Sequence, residues 1–172
     1  MERHKGDADA IEFLETQSDI CDSVIAWAEK CSKKAVMISK SVSDAGCKKN
    51  LERLSASLKT VPKNPASSFY EAILSLCVCF GLLPDSLGLI DRYLYPFYKQ
   101  DIENGVLTKK EASEYLQELF LMIQGWTHIS STNFHRGGES HFCVGGYLEN
   151  GEDGFNELSR LIVDSLMELP TW

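Results

Sequence analysis

SLGLIDRYLYPFYKQDIENGVLTKKEASEYLQE, residues Ser86–Glu118, is the stretch whose reading decides the fold. Its first half is rich in tyrosine and in acid and amide side chains, and it reads as a helix from about Leu89 to Glu103. Pro96 kinks or restarts that helix, because a proline lacks an N–H and its ring crowds the preceding turn. Gly105 closes it. Thr108 and Glu111 then have the spacing of a capping box, and they open a second helix reaching about Thr127. Ala112, Tyr115, Leu119, Met122 and Ile123 share one face of that helix.

Upstream, Leu14, Cys21, Ile25, Ala28, Cys31, Ala35, Ile38 and Val42 recur in steps of three, four and seven. They predict one long amphipathic helix from Asp9 to about Ala45, stopped by Gly46. A shorter helix over Lys48–Thr60 carries Leu51, Leu54 and Leu58, and the two prolines of Val61–Ala66 make the clearest break. Ser68 and Glu71 predict a capping box for a helix through about Phe80, followed by a loop over Gly81–Gly88. Downstream, Ser130–Ser140 reads as a polar loop, His141–Tyr147 as the one convincing strand, and Asn150–Gly151 as a turn. Phe155–Leu169 is a final amphipathic helix. A lone strand cannot satisfy its own edge. Its partner is either a strand missed here or one outside the chain, and the second option suits a piece of a larger protein. The division expected is 1–62, a long helical segment, and 63–172, a second portion.

The 172 residues are 44% hydrophobic and 24% charged, an ordinary globular balance. A formal net charge of −8 argues against nucleic-acid or anionic-membrane partners, which reward clustered cations. Lys33 and Lys34, Lys48 and Lys49, and Lys109 and Lys110 read as solvated helix faces. No apolar run has the length of a membrane span, and MERHKGDADA has no signal-peptide core, which favours the cytoplasm. Six cysteines without a secretion signal read as reduced, mostly buried thiols.

His128, His135, His141 and Cys143 are metal-ligand types, and His141 and Cys143 would share one strand face. No Cys-x-x-Cys or helical His pair accompanies them, so unliganded surface histidines and a buried thiol are preferred. The same two residues as a base and nucleophile lack any geometry that spacing alone supplies. Gly137–Gly138 and Gly145–Gly146 have neither P-loop nor Rossmann context; Gly145–Gly146 reads as a strand end packed tightly under the following helix. Asp101, Glu103, Glu111 and Glu114 lie near helix ends, where capping and solvation explain them. Tyr93, Tyr95, Phe97 and Tyr98 read as core and interface aromatics.

Several of these pieces, in order, resemble the pyruvate formate-lyase-like domain of glycyl radical enzymes. PASSFYEAILSL at Pro65–Leu76 is similar to the family's Pro-x-Ser/Thr-Phe-x-Glu-Ala-Leu segment. Asp91–Tyr98 resembles its Asp-x-Tyr-Leu-Tyr-Pro-Phe-Tyr run, which Asp101–Ala112 continues. Val144–Gly145–Gly146, then Gly151 and Asn156–Ser159, resemble its Gly-Gly strand, Asp-Gly turn and Asn-Glu-Leu helix. The resemblance implies a barrel of strands cased in helices, in which a stored glycyl radical abstracts hydrogen from a cysteine thiol that then activates substrate. In the family that cysteine and glycine lie beyond the equivalent of Trp172, and Cys143 matches the Gly-Gly strand instead of the catalytic loop. No Arg-Val-x-Gly-Tyr-like radical motif is present.

What the resemblance implies is a mainly α chain with few short strands, the helical N-terminal or middle portion of a pyruvate formate-lyase-like α/β barrel. As such it would be a fragment, not catalytic alone, of a radical lyase, dehydratase or formate acetyltransferase. The alternative is a free-standing helical protein-interaction module. No cofactor is expected in the chain itself, the radical glycine lying outside it. The expected partners are the remainder of the enzyme or a second copy, with a radical-SAM activating enzyme for the intact protein. The family's pocket loop, commonly Ser-x-Ser-x-Gly-Arg, corresponds to Pro84–Leu89, with Leu89 in place of the arginine. Leu83, Pro84, Asp85 and Ser86 are thereby the candidate substrate-binding residues.

Overall fold

The computed structural model describes residues 6–82, 86–126 and 141–169. The chain divides into two compact units, Met1–Pro65 and Ala66–Trp172.

The first unit is a pair of packed helices, α1 (Ala8–Ser39) and α2 (Ala45–Ser57). Asp7 caps α1, its carboxylate accepting from the Ala10 N–H at 3.0 Å. The helix ends earlier than the apolar period suggested, because the Ser39 and Ser41 hydroxyls donate back to the Val36 and Ile38 carbonyls at 3.0 and 2.8 Å. Asp44 then starts α2 by accepting from the Cys47 N–H at 2.6 Å. Gly46 is therefore not a stop signal but lies in the first turn of α2. An N-cap carboxylate two residues upstream outweighs glycine's weak helix propensity.

The buried stripe of α1 is also rotated from the expected one. It runs Ala28, Ser32, Ala35 and Ser39, while Cys21 and Ile38 are exposed. The Ser32 hydroxyl donates to the Ser55 carbonyl at 2.8 Å and lies 2.9 Å from the Ser55 hydroxyl. Small residues let the helices approach, and the paired hydroxyls remove the cost of burying them.

The second unit holds the aromatic core. Helices α3 (Phe69–Leu82), α5 (Tyr95–Glu103), α6 (Lys109–Trp126) and α7 (Glu157–Met167) supply most of it, with the short α4 (Ile90–Tyr93) between α3 and α5. Phe69, Ile90, Leu94, Tyr98, Leu116, Leu119, Leu158 and Ile162 are all but fully buried. Phe69 meets Tyr98 edge-on at 5.6 Å between ring centroids. The restart at Pro96 is as expected, α4 ending before Leu94 and α5 carrying the proline in its first turn. Gly105 follows α5 at a φ of 67°, a left-handed conformation that glycine adopts without strain.

Thr108 and Glu111 complete their box in both directions: the Glu111 N–H donates to the threonine Oγ1 at 3.2 Å, and the Thr108 N–H to the glutamate Oε2 at 2.9 Å. The box at Ser68 is only half formed. The Glu71 N–H donates to the Ser68 hydroxyl, but the Glu71 carboxylate accepts from the N–H and hydroxyl of Ser67. The Phe69 N–H is instead bound at 2.8 Å by Asp101, a buried carboxylate from α5. Asp101 is thus not a solvated helix-end acid but the cap of a distant helix.

Two short strands, β1 (Gly88–Leu89) and β2 (Phe142–Cys143), pair in parallel, with Gly88 opposite Phe142 and Leu89 opposite Cys143. A partner of the expected strand is therefore a missed strand, at the junction of the expected Gly81–Gly88 loop and the helix expected from Leu89. β2 is shorter than His141–Tyr147 because Gly145 and Gly146, at φ of 74° and 76°, turn the backbone away. The cysteines also depart from expectation. All six are free, but of them only Cys77 is fully buried, and Cys21, Cys47, Cys79 and Cys143 are exposed. A thiol tolerates a helix surface, so composition alone does not decide its burial. The fold class read from sequence, mainly α with few short strands, holds. Among the described residues, no helix is long and apolar enough to cross a membrane.

Candidate functional site

Of the four candidate substrate-binding residues, Leu83, Pro84 and Asp85 lie outside the described residues. Ser86 stands two residues before the start of β1. Its hydroxyl donates to the His141 carbonyl at 3.2 Å and accepts from the Gly88 N–H at 3.3 Å. The next residue adds a second tie, the Leu87 N–H donating to the same His141 carbonyl at 2.8 Å. The Tyr93 hydroxyl donates to the Leu87 carbonyl at 3.0 Å. Burial pushes that phenol from its ordinary 10.0 up to about 12, so it remains a proton donor through neutral pH. The approach to β1 is therefore fastened to the approach to β2.

The strand pair has two unlike faces. Phe142 and Val144 pack against the helical core, and the Phe142 ring stacks on Phe120 with centroids 5.3 Å apart. His141 and Cys143 alternate with them and are exposed, and Leu89, in register with Cys143, is 41% exposed.

Beneath the pair sits a fully buried carboxylate. Asp91, in α4, accepts through one oxygen from the Gly145 N–H at 2.6 Å and from the Ser159 hydroxyl at 2.5 Å. Its other oxygen, Oδ1, is buried and takes no hydrogen bond among the described residues. The Asn156 side chain donates to the Asp91 carbonyl at 3.2 Å, while its own oxygen caps α7 by accepting from the Leu158 and Ser159 N–H groups. Arg92 reaches the same glycine from the other side, its Nη2 donating to the Gly145 carbonyl at 2.8 Å. A Cβ on Gly154 would run into the Arg92 guanidinium and lie 2.9 Å from the Gly146 carbonyl oxygen. The Gly145–Gly146 turn thus does bind an anion through its backbone, and the anion is the protein's own aspartate.

The alternative chemistries fare differently. His128 and His135 lie outside the described residues; among those described, no cluster of three metal-ligand side chains forms. No hydrogen bond joins His141 to Cys143 among them either. Cys77 is raised from 9.0 to about 12, chiefly by burial, and Cys79 is raised by burial as well, so both stay as thiols at neutral pH. The glycines with a visible role are accounted for by backbone geometry: Gly145 by its positive φ and by Phe155, whose ring carbon would lie 3.3 Å from a Cβ, and Gly154 by Arg92. Sequence reading missed Arg92 and Gly154, since an arginine beside an aspartate looks like a solvated charge pair.

Comparison with known proteins agrees with this architecture. The isethionate sulfite-lyase of Bilophila wadsworthia is 31% identical over 92% of this chain and 21% of its own length. The trans-4-hydroxy-L-proline dehydratase of Clostridioides difficile is 26% identical over 91% of this chain and 22% of its own. The solved structure describing 1,2-propanediol dehydration in Roseburia inulinivorans superposes with a TM-score of 0.87 at 28% identity, covering 96% of this chain and 23% of that one. The chain therefore spans about a fifth of the length of the curated relatives it matches. The model of the pyruvate formate lyase-like family matches residues 1–172, and the chain belongs to that family, whose members here are glycyl radical enzymes.

Proposed function

We propose that this chain is one portion of a glycyl radical enzyme-like protein of the lyase, dehydratase or formate acetyltransferase class, and that it is not catalytic alone. A single relation carries the reading: a family match along all 172 residues, set against about a fifth of the relatives' length. The strand pair supports it, since two residues of parallel pairing are too few to stand as a sheet.

The chain's share of the work is then casing and the first wall of the barrel. α4 and α6 back the core-facing side of β2, and the opposite face of the strand pair, with Leu89 and Cys143, is left for the interior. Leu83, Pro84, Asp85 and Ser86 are assigned to substrate contact. Leu89 offers no guanidinium to an anionic substrate group at that position, so any such group is held by residues elsewhere. The radical glycine and the cysteine it oxidises are assigned to the remainder of the enzyme, supplied by a longer product or by another chain. That pair supplies hydrogen-atom abstraction from substrate, and a radical-SAM activating enzyme generates the radical. The location is cytoplasmic.

The test is the mass of the native polypeptide in its source cells, read with an antibody raised against residues 100–118. A product several times larger is expected. A product of about this size, monodisperse and melting cooperatively without any co-purifying catalytic chain, would replace this reading with a free-standing interaction module.

A further inference from the structure

Asp91 and Arg92 are adjacent and oppositely charged, yet no ion pair joins their side chains among the described contacts. Each instead takes one backbone group of the same residue. The carboxylate accepts from the Gly145 N–H at 2.6 Å, and the guanidinium donates to the Gly145 carbonyl at 2.8 Å. The guanidinium also reaches the Tyr147 carbonyl at 3.4 Å, and it lies where any side chain on Gly154 would have to go. The residues on both sides of this grip are themselves tied. Gly154 donates to the Gly146 carbonyl at 2.7 Å, and Ser159 and Asn156 fasten Asp91 to the start of α7.

We propose that Asp91 and Arg92 act together as positioning residues that fix the register of β1 against β2, and through it the placement of Ser86. Being in the turn directly after β1, they can hold the residue two positions after β2 only when Gly88 faces Phe142. A slip of one residue would carry Gly145 away from both charges at once. It would also put Phe142 and Val144 on the outer face and Cys143 against the core. The grip uses charge-assisted bonds to a dipole rather than a direct ion pair, so each bond depends on the backbone of β2 being in place. The importance of the placement for substrate rests on the assignment of Ser86 to the substrate side; the positioning itself does not.

Amide hydrogen exchange on the full chain tests it. In Arg92→Gln the Leu87 and Gly145 amides are expected to exchange about tenfold faster or more, while α6 amides such as Leu119 stay within about twofold. Leu116→Ala is the control for plain loss of stability and raises exchange across the whole second unit. Arg92→Lys keeps the positive charge that Arg92→Gln loses, and falls between Arg92→Gln and the parent. If Arg92→Gln does not fold, the same local pattern in Arg92→Lys decides the matter. A uniform rise in either variant, or an unchanged Leu87 amide, overturns the proposal. The readout uses no substrate. Unchanged substrate binding by the assembled enzyme carrying Ser86→Ala would instead remove the substrate-side assignment and leave the positioning intact.

Discussion

The two units each bury a hydrogen-bonded polar side chain, and they do so by opposite means. In the first, Ser32 meets Ser55 as one neutral hydroxyl meets another, with a carbonyl as second acceptor. Nothing there is charged, and small neighbours such as Ala28 and Ala35 close around it. In the second, Asp91 brings a whole carboxylate inside and bonds it through one oxygen, while the other has no partner among the described residues. The first arrangement allows two helices to come close; the second dictates where a loop and a helix start. Helix pairing tolerates a small change of angle, whereas a buried charge demands its donors in fixed places.

The comparison breaks if the two ties prove equally dispensable. Asp91→Ala strands the Gly145 N–H and the Ser159 hydroxyl in a buried site, so a loss of about 3 kcal/mol is expected. Urea denaturation checks this, and an unchanged midpoint would deny the carboxylate its structural role. Ser32→Leu sharpens the other side. Forcing a branched side chain between α1 and α2 should cost about 2 kcal/mol by overpacking, whereas Ser32→Ala should cost only about 1 kcal/mol. If leucine were tolerated better than alanine, close approach would not be the reason for the small residues.

The smallest effect concerns Cys77, buried in the core of the second unit. Its pKa is higher folded than unfolded, so its contribution is intact below pH 9 and is lost as pH climbs toward 12. Between pH 8 and pH 10 the parent should lose about 1 kcal/mol more than Cys77→Ala, read from paired thermal melts. Parallel pH curves for the two proteins would show that the thiol is not hidden in the way the structure has it.

Legibility in the sequence followed the range of each interaction. Pro96, Gly105 and the Thr108–Glu111 pair act within a turn or two of themselves, and each does what its chemistry promises. Gly46 misled because the deciding residue was Asp44, a cap for the helix after it. Ser32 and Ser39 were passed over on α1 because a hydroxyl counts as polar until its partner is known, across the interface for Ser32 and one turn back for Ser39. β1 was invisible: two residues, one of them Gly88, have no period to detect. The cap that Asp101 supplies to Phe69 spans 32 positions and leaves no local mark. At the candidate site, the family motif pointed to Ser86 and Asp91, but Arg92 emerged only once its carbonyl partners were placed.

Range also governs time. The helices can form from neighbours as the chain is made, but the Asp91 carboxylate must wait for a glycine amide 54 positions later and a serine hydroxyl 68 positions later. On a ribosome the chain emerges from its N-terminus, so α3 to α6 are complete while this aspartate still has only water to bind. Helix-rich collapse that traps it before α7 arrives would bury an unmatched charge, which is costly. The late ligands thus act as a checkpoint: the second unit can close only after residue Ser159 has been synthesised, and nascent chains stopped short of it should stay open, protease-sensitive and available to chaperones.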